Sequence, residues 1–156
     1  MAMERTLVLI KPDGVQRGLV GEIISRFEKK GLKMAGCKMM RLDEAVLREH
    51  YAHITDKPFF PGVSNFMKSS PVLAMCWEGL ECVEAVRLIT GVTKGRMADA
   101  GTIRGDLAMS VSCNVIHTSD SVENAVKEVA RFFNSDELHE YFKSEFEHVY
   151  NEEERA

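Results

Sequence analysis

The chain has neither of the two glycine-rich cradles by which a sequence announces a backbone-held phosphate. No GxxxxGK[ST] and no GxGxxG occurs in it. Gly14, Gly18 and Gly21 have the wrong spacing, so any such site must be built from side chains. No CxxC pair occurs among the four cysteines, Cys37, Cys76, Cys82 and Cys113. A chain of 156 residues, 45% hydrophobic, buries a good core without staples. Free thiols in a reducing cytoplasm are therefore expected. No apolar stretch approaches the roughly 20 residues that span a bilayer. Arg5, Lys11 and Asp13 interrupt the only early apolar run, so no signal peptide and no membrane association are expected. Positive charge is not in excess: the formal net charge is −4. That argues against general binding of nucleic acid or an anionic membrane, and leaves an anionic ligand to a local cluster. With no internal repeat, low-complexity tract or linker, the chain reads as one domain over residues 1–156, the polar end from 152 to 156 being a frayed tail.

What is present alternates between strands and helices. Thr6 to Ile10 is a short continuous apolar run stopped by Lys11-Pro12-Asp13-Gly14, a buried strand ended by a turn. Leu19, Val20, Ile23, Ile24 and Phe27 recur at helical spacing, and Gly31 stops that helix after Lys29 and Lys30. Met34 to Leu42 reads as a second strand. Asp43 can cap a helix carrying Val46, Leu47, His50 and Tyr51, and another helix is predicted over Pro61 to Lys68. Val72 to Trp77 is a third strand, and Cys82 to Leu88 a helix ended by Gly91. Residues 92 to 113 form a long, weakly periodic loop, of a length that is usually functional. Ser112 to Ile116 is a fourth strand. Ser121 or Asp120 can cap a last long helix, Ser121 to Phe133. The order predicts an α+β fold: a ferredoxin-like four-stranded antiparallel sheet (split βαβ) with surrounding helices and a long active-site loop.

The stretch from Asn114 to Ser121 carries the most information. It places His117 at the end of an apolar run and just before a capped helix, where a ring can face a cleft. By itself it also fits an ordinary core or surface histidine. Lys11 at a strand end, Arg87 on a helix, and Thr93 and Arg104 in the long loop could hold phosphate. Taken singly, each also fits a solvated surface residue. Tyr51 and Phe59 fit core aromatics, and Met34, Met39 and Met40 fit core filler. His50 and His53 have the i, i+3 spacing of a metal pair, but no third ligand is near in sequence, and no protein-held metal is assigned.

The motifs in order are more specific than any one of them. Lys11-Pro-Asp-Gly-Val-Gln-Arg-Gly-Leu-Val-Gly-Glu22 is followed by His50-Tyr51, Lys57-Pro-Phe-Phe60, Trp77-Glu-Gly79, Gly101-Thr-Ile-Arg-Gly-Asp106 and Asn114 to Ser121. Together they resemble the nucleoside diphosphate kinase family in one register from about residue 4 to residue 150. The resemblance implies an enzyme that moves the terminal phosphoryl group of a nucleoside triphosphate to a nucleoside diphosphate. The reaction would be ping-pong through phosphohistidine on His117, tolerant of the base, and would balance nucleotide pools. By the same resemblance, Glu128 and Ser119 orient the histidine, and Lys11, Arg87, Thr93 and Arg104 hold phosphates. Asn114 and Lys11 reach the ribose 3′-hydroxyl, Tyr51 sits beside the histidine, and the base stacks on Phe59 with Val63 as the other wall. Magnesium would ride on the nucleotide phosphates.

The resemblance further implies a homo-oligomer, a hexamer before a tetramer. Lys94-Gly95-Arg96-Met97 departs from the family's Asn-Pro stretch, and Gly95 is expected to loosen that loop. Ser112-Cys113, Thr118 and Ala100 also depart, but no matched catalytic group is lost. Two other classes are weighed: a nucleic-acid or regulatory partner, disfavoured by the net charge, and a protein-to-protein phosphohistidine carrier. The carrier would need neither Phe59 nor the ribose contacts.

Overall fold

In the computed structural model, which describes residues 3–155, Leu7, Val8, Leu9 and Ile10 are wholly buried. Strand neighbours point to opposite faces. Leu7 and Leu9 accordingly join one apolar cluster, with Leu47, Met67 and Phe132. Val8 and Ile10 join another, with Ile23, Phe27 and Trp77. A strand that loses water on both faces must lie inside a helix–sheet–helix sandwich, and β1 (Met3–Ile10) does.

The chain continues through α1 (Pro12–Gln16), α2 (Val20–Lys30), β2 (Lys33–Met40), α3 (Glu44–His50), α4 (Phe60–Lys68), β3 (Val72–Leu80) and α5 (Cys82–Thr90). Next come α6 (Ile103–Leu107), β4 (Ile116–Thr118) and α7 (Val122–Phe132), then two short tail helices, α8 (Phe146–Val149) and α9 (Glu152–Arg155). The sheet order is β2-β3-β1-β4, and every pairing is antiparallel. This is the expected ferredoxin-like α+β arrangement. No helix among the described residues is long and apolar enough to cross a membrane.

Local signals set several boundaries. Gly31 closes α2 at φ 98, a left-handed turn that glycine takes without strain. The Asp43 carboxylate accepts from the Val46 N–H at 2.9 Å, and the Ser121 hydroxyl from the Asn124 N–H at 3.2 Å. Such caps contribute about 1 kcal/mol each.

Elsewhere the structure departs from the sequence reading. The expected turn after Lys11 is a turn of helix, α1, which tolerates Pro12 at its first position because that N–H needs no partner. The fourth strand is not Ser112 to Ile116 but Ile116–Thr118, pairing Ile10, Leu9 and Val8 with Ile116, His117 and Thr118. Val115 has φ 63, which takes it out of any ladder. The tail does not fray at 152: Glu152–Arg155 is helical. Upstream, the His139 N–H donates to the Ala35 carbonyl at 2.8 Å and the Tyr141 hydroxyl to the Met34 carbonyl at 2.9 Å. The tail thus lies along its own β2.

The segment from 92 to 113 is also more ordered than a loop. It holds a 3₁₀ turn, Gly95–Met97, and α6, capped by the Thr102 hydroxyl. Gly95 does not loosen it. Gly95 is buried, and its N–H donates to the Ser110 carbonyl at 3.1 Å. A Cβ there would sit 2.4 Å from the Ala108 carbonyl oxygen. Gly95→Ala must therefore push two backbone segments apart. Urea unfolding should show a loss of about 1–3 kcal/mol. An unchanged midpoint would mean that the two segments are not held against each other.

Candidate active site

Beyond the end of β1 lies a cleft of about 970 Å³, lined by Lys11 and by residues of α3, the turn after it, α5, the 91–114 segment, β4 and α7. Eight of the predicted site residues line it: Lys11, Tyr51, Arg87, Thr93, Arg104, Asn114, His117 and Glu128. They come from six parts of the chain, and backbone geometry brings them together. Val115 is wholly buried in the left-handed region, where a β-branched residue is strained. Its N–H donates to Asp13 Oδ2 at 3.0 Å, and its carbonyl accepts from the Lys11 N–H at 2.9 Å. Gly14 leaves room for this turn, since a Cβ would lie 2.8 Å from the Val115 carbonyl oxygen. The turn carries Asn114 to one side and His117 to the other.

His117 is half-buried on β4. Its Nε2 faces both carboxylate oxygens of Glu128 at 3.2 Å. Burial alone would raise the Glu128 carboxyl, but contacts with His117 and Ser119 hold it down to about 2. Glu128 is thus ionised and can only accept, so Nε2 carries the proton and Nδ1 keeps a free lone pair. Ser119 is fully buried and does not line the cleft. Its hydroxyl donates to Glu128 Oε2 at 2.5 Å and accepts from the Leu7 N–H at 3.3 Å. The carboxylate is thereby fixed to the central strand.

The cations form a second cluster. Lys11 Nζ donates to Asn114 Oδ1 at 2.8 Å. Burial first, and then the Arg104 charge, push the Lys11 ammonium down to about 8. Arg104 is lowered to about 10, by burial and then by Arg87. Its guanidinium donates to the carbonyls of Asn114, Gly91 and Ile116 at 3.3, 3.1 and 2.6 Å. Asn114 Nδ2 donates to the carbonyls of Thr93 and Val111 at 2.8 and 3.1 Å. Cations crowded in this way favour an anion between them.

Two predicted residues lie elsewhere. Phe59 begins α4 with its ring 56% exposed and outside the cleft lining. Val63, one turn on, packs against the core cluster of Leu47 and Met67, so it is no open wall. The apolar lining comes instead from Leu88, Val92 and Val111. Sequence reasoning also missed the company of His50. Its ring lies 4.5 Å from that of His117, edge to face at 75°. His50, His117 and Glu128 bring ligand atoms within 4.8 Å of one another, the one such set among the described residues. The cation at this corner is a side chain, Arg131, whose Nη1 lies 3.1 Å from His50 Nδ1.

A histidine oriented by an ionised carboxylate, opposite buried cations on a ferredoxin-like sheet, is equipment for phosphoryl transfer, and the class is that of a phosphotransferase. Comparison makes the family definite. The family model for nucleoside diphosphate kinase matches residues 4–138, and the chain belongs to that family. It is 53% identical over 139 residues to a nucleoside diphosphate kinase of Parabacteroides distasonis, covering 89% of this chain and 91% of that one. It is 52% identical over 138 residues to nucleoside diphosphate kinase A of Homo sapiens, covering 88% and 91%. The solved structure of the Halobacterium salinarum enzyme in complex with CDP aligns with a TM-score of 0.93 at 48% identity, covering 96% and 99%. The chain is an enzyme of nucleotide phosphate transfer.

The lowered Lys11 has a pH consequence. Its charge, present below about pH 8, is lost above it, and with it part of the attraction for phosphate. Affinity for ADP should hold steady from about pH 7 to pH 8 and fall above that, while Lys11→Arg should flatten the fall. Calorimetric titration of ADP at stepped pH measures it. A flat affinity up to about pH 10 in the unsubstituted enzyme would separate Lys11 from phosphate binding.

Proposed function

We propose that the enzyme works by a ping-pong exchange with His117 as the covalent carrier. The observation that carries this reading is the Glu128–His117 contact, which leaves Nδ1 as the basic nitrogen in a cleft lined by Lys11, Arg87 and Arg104. In the first half-reaction, Nδ1 attacks the γ-phosphorus of a nucleoside triphosphate. The N–P bond forms as the bond to the β–γ bridging oxygen breaks, and the diphosphate leaves with that electron pair. The phosphorylated ring gains positive character, which the Glu128 carboxylate offsets. In the second half-reaction, a terminal oxygen of another diphosphate takes the phosphoryl group and restores the imidazole. Arg87, Lys11 and the two Arg104 N–H groups not bound to carbonyls offset charge on the transferring group. Tyr51 lines the same cleft as His117.

The hydrogen bond between Lys11 Nζ and Asn114 Oδ1 supports assigning the ribose 3′-hydroxyl to this pair. The exposed Phe59 ring suits a base of any kind, since every base has a π-face. Magnesium would ride on the nucleotide phosphates and supply charge neutralisation there. The residues fit that mode, because the cleft offers cations to phosphate and the Asp120 carboxylate to the ion's waters. Nucleotide-pool balancing in the cytoplasm is part of the same proposal. Four unpaired cysteines suit a reducing compartment.

Incubation with γ-labelled ATP should give acid-labile, base-stable label. His117→Ala should take up none and lose turnover while staying folded. Retained label in that variant would remove His117 from the mechanism. 3′-Deoxy nucleotides should be poor substrates, while 2′-deoxy nucleotides should work. Equal kcat/KM for 3′-deoxy and ordinary nucleotides would refute the ribose contact.

We also propose a homo-oligomer, a hexamer before a tetramer. Met39, 59% exposed on the edge strand β2, and Met97 and Met109, 67% and 75% exposed around the long segment, offer apolar surface for it. Light scattering behind a sizing column should report close to six times the 17.6 kDa chain mass. Four times that mass would favour the tetramer, and a stable monomer would remove the interface.

A further inference from the structure

His50 is not needed for the chemistry just described, yet it is among the most enclosed polar side chains of the cleft, at 7% exposure. Its ring is wedged among Tyr51, His117 and Phe132, with centroids at 4.9, 4.5 and 5.2 Å. Its Nδ1 is near two opposite charges. Arg131 Nη1 is 3.1 Å away and donates to it. Glu128 Oε1 is 3.9 Å from the same nitrogen. Arg131 and Glu128 stand three residues apart on α7, a spacing at which helical side chains meet. An arginine at that distance from a half-buried carboxylate has every electrostatic reason to pair with it bidentately. It does not: Nε stands 3.1 Å from Glu49 Oε1 as an ion pair without a hydrogen bond, and Nη1 donates to His50.

We propose that His50 is a positioning residue whose Nδ1 takes up the Arg131 guanidinium, keeping that cation off Glu128 and leaving the carboxylate to His117. The inference rests on the reading of His117 as the nucleophile. A neutral acceptor is required for the role, because a protonated His50 would repel Arg131 and compete for Glu128 itself. Burial, and after it the neighbouring His117, push His50 down to about 3, so the ring is neutral at every working pH. The charged and titratable groups around it are Glu49, Tyr51 and His53 near α3, His117 on β4, and Glu128 and Arg131 on α7. Among them Arg131 alone is a permanent cation.

Three variants separate this role from packing. His50→Leu fills the space but offers no acceptor. Arg131 should then turn to Glu128, and label uptake by His117 should slow roughly tenfold or more. The acid limb of its pH profile should move to lower pH, because a carboxylate neutralised by a guanidinium holds a proton on its imidazole partner less well. His50→Asn keeps an oxygen near the place of Nδ1 and should stay close to the unsubstituted rate. In the double variant His50→Leu with Arg131→Met there is no cation to divert Glu128, and both rate and limb should recover. If the Leu variant fails to fold by thermal unfolding, His50→Phe serves in its place. Equal impairment of the Leu and Asn variants, an unmoved acid limb, or a double variant no faster than the single would each overturn the proposal. Acid-labile labelling of the unsubstituted enzyme tests the nucleophile separately, so failure of one reading is not mistaken for failure of the other.

Discussion

The site depends on one strained residue. Val115 takes a left-handed backbone that costs on the order of 1–3 kcal/mol for a side chain of its kind. The strain persists because three contacts fix the peptide units around it. Asp13 accepts its N–H, Lys11 donates to its carbonyl, and the Ile116 N–H folds back on the Asn114 carbonyl at 2.8 Å. Lys11 and Asp13 belong to the end of β1 and the start of α1, about a hundred residues away in sequence. One turn therefore ties the first strand to the last. It turns Asn114 toward the Lys11 ammonium and starts β4 just in time to put His117 opposite Leu9. Gly14 completes the arrangement by having no side chain where the Val115 carbonyl must go.

Two kinds of charge then work against each other across the cleft. On one wall Glu128 is kept ionised despite its burial, through His117 and Ser119. On the other, burial and then the Arg104 charge lower Lys11, and burial and then the Arg87 charge lower Arg104. Such crowding raises the free energy of the empty site, and a phosphate group relieves it on binding. An anion bound there would be held by electrostatics arranged in advance, without a helix terminus or a glycine-rich loop. The absence of a cradle motif was therefore informative about how phosphate must be held, though not about whether it is.

What the sequence made legible was what short-range physics controls. Asp43, Ser121 and Gly31 mark helix ends through hydrogen bonds or backbone freedom within three or four residues, and each stands where expected. The apolar run from Leu7 to Ile10 could only be a strand covered on both faces. The errors came from long-range contacts. Ser112 to Ile116 had the composition of a strand, but the Val115 turn, fixed by Asp13, moved the ladder two residues on. Gly95 looked like added freedom until the Ala108 backbone was found against it. Val63 had the right spacing after Phe59 for a wall, but helical phase turned it inward, and Val111 lines the cleft instead. His50 had no third ligand nearby in sequence because its partners, His117, Glu128 and Arg131, stand 67 or more residues away. The candidate site residues were legible only as a series of motifs in one register. Each of them alone is an ordinary strand-end lysine, helix arginine or strand histidine.

Arg104 shows why such a site resists division into parts. The resemblance makes it a phosphate ligand, and it lines the cleft. Three of its five N–H groups, however, are taken by backbone carbonyls of Gly91, Asn114 and Ile116. Those carbonyls belong to the end of α5, the turn before β4 and β4 itself, the three segments that carry Thr93, Asn114 and His117. The guanidinium that would meet the phosphate is also the clamp that sets the distance between the other groups meeting it. A lysine at this position would keep a charge but lose the planar fork, and with it two or more of the carbonyl contacts. The Asn114 carbonyl would keep the Ile116 N–H, while the Gly91 and Ile116 carbonyls would lose their guanidinium donor, at roughly 1–3 kcal/mol apiece. Loss of activity on such a change would report displacement of Asn114 and His117 as much as loss of a phosphate contact. The same reasoning applies to Lys11, whose ammonium holds Asn114 in place before any nucleotide arrives. In a site made of side chains, the groups that bind the ligand are also the groups that hold the site open for it.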